Sequence, residues 1–87
     1  MIEQKVTIYT CNYCSECKKL VEKMNSWGLD YTEKNISDNL GYLKEMQKHG
    51  IYGTPATFVN DDPVLGFRES ELKNKLGLAD LSNHYER

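Results

Sequence analysis

Residues 5–10, Lys5-Val6-Thr7-Ile8-Tyr9-Thr10, alternate and are rich in β-branched and aromatic side chains. They read as a strand with Val6 and Ile8 on one side. From Ser15 the period changes. Cys17, Leu20, Val21, Met24 and Trp27 recur at i, i+3, i+4, i+7 and i+10, one face of a helix. Gly28 stands where a C-terminal cap belongs. Residues 30–36 carry Tyr31 and Ile36 among polar neighbours and suggest a second, weakly patterned strand. Ser37 or Asp38 then caps a helix to His49, with Leu40, Leu43 and Met46 inward and Gly50 as the stop. Ala56-Thr57-Phe58-Val59 is a short strand. Asn60-Asp61-Asp62 supplies a turn, and Pro63-Val64-Leu65 returns as the hairpin partner. Gly66 closes that strand. A last helix spans Glu69 to Leu76 with Leu72 and Leu76 inward, supported by Glu69–Lys73 and Glu71–Lys75 spacings, and Gly77 ends it.

The order is β-α-β-α-β-β-α. It predicts an α/β fold in which a four-stranded mixed sheet, parallel at its start and antiparallel at its end, is flanked by three helices. With 87 residues there is room for one domain. Residues 1–78 would form it, and the polar residues 79–87 would be a frayed tail.

Charge narrows the functions. Eleven basic and 13 acidic residues give a net charge of −2, which offers no electrostatic footprint for nucleic acid or an anionic membrane. No apolar run approaches the ~18–20 residues of a membrane span. The opening Met1-Ile2-Glu3-Gln4-Lys5 lacks the charged-then-apolar pattern of a signal peptide. A cytoplasmic protein, monomeric and free of nucleic acid and membrane, is the expectation.

The three cysteines, Cys11, Cys14 and Cys17, fall within seven residues. A disulfide-stapled scaffold spreads an even number along its chain, so this cluster is a chemical site instead. Cys14-Ser15-Glu16-Cys17 lies where the first strand gives way to the first helix. Cys14 would sit at the helix N-terminus, where free N–H groups and the helix dipole favour a thiolate, the form that attacks disulfides. Cys17, one turn on, would lie inward beside Leu20 and Val21 and reach back to Cys14. An exposed attacking thiol and a shielded resolving thiol are what dithiol exchange requires. Cys11 begins a second, overlapping C-x-x-C with Cys14. It could compete for Cys14, stand by as a partly exposed thiol, or join Cys14, Cys17 and a histidine, His49 or His84, in a Cys3His metal site. A module that holds metal through the three cysteines without turnover is thus the alternative to an enzyme.

Ile8-Tyr9-Thr10-Cys11-Asn12-Tyr13-Cys14-Ser15-Glu16-Cys17, then Gly53-Thr54-Pro55-Ala56-Thr57-Phe58, then Leu65-Gly66-Phe67-Arg68 resemble a glutaredoxin-type member of the thioredoxin superfamily. The resemblance runs over about residues 5–78. It implies the thioredoxin fold and thiol–disulfide oxidoreductase activity, with Cys14 as nucleophile and Cys17 as resolving thiol; dithiol exchange of this kind needs no bound cofactor, and no metal ligand is expected. It also implies a cis Thr54–Pro55 bond beside the cysteines, where the Thr54 backbone would pair with an extended substrate. Tyr13, Thr54, Pro55, Gly66, Phe67 and Arg68 are the substrate-binding candidates under this resemblance.

Three departures from the family matter. Cys11 replaces the lysine that commonly supports the thiolate and meets a glutathione carboxylate. Ser15-Glu16 replaces Pro-Tyr, placing a like charge near the thiolate that Lys18 and Lys19 partly offset. Leu65-Gly66-Phe67-Arg68 replaces the Gly-Gly and acidic residues that hold glutathione. Gly66-Phe67-Arg68 is similar instead to the redoxins that serve ribonucleotide reductase and draw electrons from thioredoxin reductase. The partners expected are a disulfide-bearing protein or small molecule, and thioredoxin reductase or glutathione as reductant.

Overall fold

A computed structural model describes residues 5–77. The tail expected at residues 79–87, residue 78 and His84 lie outside the described residues. The observed elements are β1 (Val6–Thr10), α1 (Ser15–Ser26), β2 (Thr32–Asn35), α2 (Leu40–Lys48), β3 (Ala56–Val59), β4 (Asp62–Leu65) and α3 (Glu69–Leu76). The predicted order is therefore the observed one.

The sheet order is β2-β1-β3-β4. β1 runs parallel to β2 and antiparallel to β3, which pairs antiparallel with β4. Helix α1 is the crossover that parallel pairing demands. This is the thioredoxin fold, with three helices on a four-stranded mixed sheet.

Two apolar cores cover the two sheet faces. On one, Val6, Ile8, Val59 and Val64 pack with Leu20 and Met24 of α1 and Leu72 and Leu76 of α3. On the other, Tyr9, Ala56 and Phe58 pack with Met46 and Ile51, and Leu43 of α2 leans on them. All five β1 residues are buried, Thr7 and Thr10 included. The alternation of β1 thus sorts side chains between two cores, rather than between core and water.

Two details of α2 differ from expectation. Its N-cap is Asn39, whose Oδ1 accepts from the Gly41 N–H at 2.8 Å. Ser37 instead accepts from the Asn12 N–H at 3.1 Å, and the Asn35 side chain accepts from the amides of Ser37 and Asp38. A local turn around Asn35 therefore occupies both residues expected to cap. Starting the helix at residue 40 also turns Leu40 outward, and it is 69% exposed.

Candidate active site

Strand β1 ends at Thr10 and aims the chain at the N-terminus of α1. Cys14 is the N-cap, in an extended conformation with φ −133° and ψ 102°. Its Sγ accepts from the Cys17 N–H at 3.2 Å, the place a Ser or Asp oxygen takes in an ordinary cap. Cys17 is 3% exposed, on the face of α1 that carries Leu20 and Met24, whereas Cys14 is half-buried. The loop before the helix is braced from β2, since Asn12 accepts from the Asn35 amide at 3.0 Å.

The β1–β3 register brings the second segment in. Tyr9 pairs with Ala56, so the same antiparallel count sets Cys11 opposite Thr54. Their side chains meet there, with Cys11 Sγ 3.1 Å from Thr54 Oγ1. The Thr54–Pro55 peptide is cis, and Pro55 is buried. The Gly66 N–H donates to the Pro55 carbonyl at 2.8 Å, tying the end of β4 to this loop. Gly66 has φ +73°, a conformation glycine adopts without steric penalty.

The sulfurs of Cys11, Cys14 and Cys17 lie within 4.8 Å of one another, and all three thiols are free. Burial opposes ionisation of Cys14. Hydrogen bonds from the Cys17 thiol and backbone, the Thr54 hydroxyl and the Cys11 thiol outweigh it, and the Cys14 pKa falls below the ordinary thiol value. Burial pushes the Cys17 thiol the other way, up to about 12, with the neighbouring Cys14 adding to the rise. Their surroundings thus shift the two thiols in opposite directions, Cys14 toward the thiolate and Cys17 toward the protonated form. Three converging cysteine sulfurs are also a ligand set for a soft metal ion. Among the described residues no His, Asp or Glu joins that group. His49 packs against Phe58 instead, with ring centroids 4.9 Å apart and the rings tilted by 53°.

The remaining substrate-binding candidates are dispersed around this cluster. Tyr13 is fully exposed beside Cys14, and Asn12, Tyr13, Ser15 and Lys18 border a surface cleft with it. Gly66 meets the proline loop, but Phe67 packs partly into the core between α1 and α3. Arg68 is the exposed N-cap of α3 and pairs with Glu71 at 3.6 Å. The Thr54 side chain was missed by sequence reasoning, which valued only its backbone. Extending the β1–β3 pairing by two residues is the signal that finds it.

Fold and site define a thioredoxin-fold protein with a cysteine cluster at the first helix. The glutaredoxin family profile matches residues 6–64, more than half of the chain, and the chain belongs to the glutaredoxin family, whose members are thiol–disulfide oxidoreductases. Glutaredoxin-like protein NrdH of Lactococcus lactis subsp. cremoris is 28% identical over 67 residues, 77% of this chain and 93% of that protein. The NrdH-redoxin of Escherichia coli superposes with a TM-score of 0.73 at 24% identity, over 80% of this chain and 92% of that one. A glutaredoxin of Archaeoglobus fulgidus superposes with a TM-score of 0.74 at 24% identity, over 83% and 85%. Among the described residues no helix is long and apolar enough to cross a membrane.

Proposed function

We propose that this protein reduces disulfides by dithiol exchange, with Cys14 attacking and Cys17 resolving. The observation that carries this reading is the Cys14 sulfur in the N-cap of α1, accepting the Cys17 N–H with its pKa lowered, next to the buried Cys17. In the first step the Cys14 thiolate attacks one sulfur of the substrate and the other departs as a thiolate. The Cys17 sulfur then displaces the second half, leaving a Cys14–Cys17 disulfide for a reductant to reopen. Cys11 is the weaker attacker, since it lies in the loop before the helix and receives no cap N–H. Thr54, Pro55 and Gly66 form the edge an extended substrate would meet, and Tyr13 and Arg68 its exposed flanks. A disulfide-bearing protein or small molecule is the substrate class. The site acts in a reducing compartment, the cytoplasm, as a monomer without a bound cofactor.

Thioredoxin reductase is the proposed electron donor. Cys11 puts no cation where the family binds a glutathione carboxylate, and Phe67-Arg68-Glu69 puts no acidic pair where its ammonium would sit. Each lost charged contact weakens binding by ~1–3 kcal/mol, about five- to 150-fold. The thioredoxin-like activity profile named for the Escherichia coli relative agrees with this choice.

NADPH consumption with oxidised insulin as substrate tests both parts. Turnover is expected with thioredoxin reductase, little with glutathione and glutathione reductase, and none for Cys14→Ser with either. Turnover by Cys14→Ser would pass the attacking role to Cys11. Robust turnover with glutathione alone would contradict the choice of donor. The metal-holding alternative draws on the convergence of the three sulfurs. About one zinc per chain after purification under reducing conditions, with thiols shielded from alkylation, would favour it.

A further inference from the structure

Dithiol exchange uses two thiols and leaves Cys11 without a task, yet Cys11 is placed as carefully as the other two. The sheet register delivers it to Thr54, whose hydroxyl holds its sulfur at 3.1 Å. Its sulfur lies within 4.8 Å of both other sulfurs. Residues 12 and 13 form a turn between Cys11 and Cys14, and a turn keeps its end Cα atoms within about 7 Å, close to the range a disulfide spans. Cys11 is half-buried where Cys17 is buried. It stands in the loop that follows β1, three residues before Cys14, whereas Cys17 stands three residues after it in the first turn of α1.

We propose that Cys11 is a second resolving thiol, able to release a substrate from Cys14 through a Cys11–Cys14 disulfide. The proposal rests on Cys14 as the attacking thiol. After the first step Cys14 holds one half of the substrate in a mixed disulfide. Cys11 loses its proton to solvent and its thiolate attacks the Cys14 sulfur. The Cys11–Cys14 bond forms, the Cys14–substrate bond breaks, and the substrate thiolate leaves and takes up a proton. Two protein thiols are oxidised and one substrate disulfide is reduced, so no further oxidant enters. Attack by Cys17 on Cys14 would then convert this disulfide to Cys14–Cys17 and free Cys11.

The second route matters because exchange needs the attacking sulfur, the central sulfur and the leaving sulfur nearly in line. A second resolving sulfur within 4.8 Å of Cys14 offers a second line of attack, and so serves substrates seated in a second orientation. Burial resists ionisation of Cys17, so a route that does not depend on its thiolate widens the conditions for release.

Insulin reduction driven by dithiothreitol, followed by mass spectrometry of the acid-quenched protein, tests the proposal. Cys17→Ser is expected to slow turnover about tenfold without stopping it, and to yield a protein lighter by two hydrogens. The double variant Cys11→Ser/Cys17→Ser should lose at least about another tenfold and accumulate as a Cys14 mixed disulfide. Because Cys17 is buried, Cys17→Ala alone and combined with Cys11→Ser provides a second pair with no new buried hydroxyl. If both Cys17 single variants stall as mixed disulfides at the level of the double variants, Cys11 does not resolve and the proposal falls. That outcome leaves Cys14 as attacker untouched, whereas activity in Cys14→Ser would overturn the reading beneath it.

Discussion

Cys14 and Cys17 are the same residue three positions apart, and their surroundings drive them in opposite directions. Cys14 gathers hydrogen bonds that favour the thiolate, while Cys17 is buried and keeps its proton up to about 12. That opposition has a consequence for stability. An unfolded cysteine ionises near 9, so between about pH 9 and 12 the folded chain binds a proton at Cys17 that the unfolded chain has lost. The stabilisation is complete below about pH 9 and lost as pH rises through this window. Cys14 acts in the opposite sense. Its lowered pKa stabilises the fold above the ordinary thiol value, and that contribution disappears as pH falls through the folded value. The reduced protein is therefore expected to lose urea resistance between about pH 9 and pH 11, and Cys17→Ala to lose less. Equal alkaline losses in the two proteins would show that Cys17 is not held protonated by the fold. The placement of both cysteines was legible in the sequence, because it follows from local position at a helix start. The Cys11–Thr54 contact was not, because it depends on a pairing 43 residues apart.

Element boundaries followed the same logic. Helices α1 and α3 could be read from their apolar spacing, and α3 begins and ends where its pattern does. Helix α2 begins later than expected, because a residue's suitability as a cap does not reveal whether a neighbouring turn has claimed it. Asn39 caps the helix through Gly41, and a Cβ on Gly41 would sit 3.0 Å from Asn39 Oδ1. Asn39→Ala is expected to lower stability by about 1 kcal/mol. Gly41→Ala should gain little or nothing from its better helix propensity, since the new methyl crowds the cap. Urea unfolding checks both, and a clear gain for Gly41→Ala would mean that the cap contact is dispensable. The paired Lys34 and Glu45, 3.0 Å apart, with Lys34 also over the rings of Tyr9 and Tyr42, join β2 to α2. No local pattern signals that cluster, since it depends on how the helix lies across the sheet.

At the scale of the whole molecule, the site exists only where the fold assembles it. One short segment carries all three cysteines, but the Thr54 hydroxyl that meets Cys11 and supports the Cys14 thiolate arrives through β3, and Gly66 through β4. The family motifs made that convergence legible, although composition and periodicity alone left redox, metal and bystander roles open for Cys11. If the fold makes Cys14 the attacking thiol, its reactivity must exceed that of its two neighbours in the native protein and fall to theirs when the chain is unfolded. Reduced protein treated at neutral pH with less than one equivalent of iodoacetamide, natively and in concentrated guanidinium, then mapped by fragmentation mass spectrometry, measures this directly. The label is expected on Cys14 in the native protein and spread over Cys11, Cys14 and Cys17 in the denatured one. Native labelling that falls first on Cys11, or that does not discriminate among the three, would contradict the account.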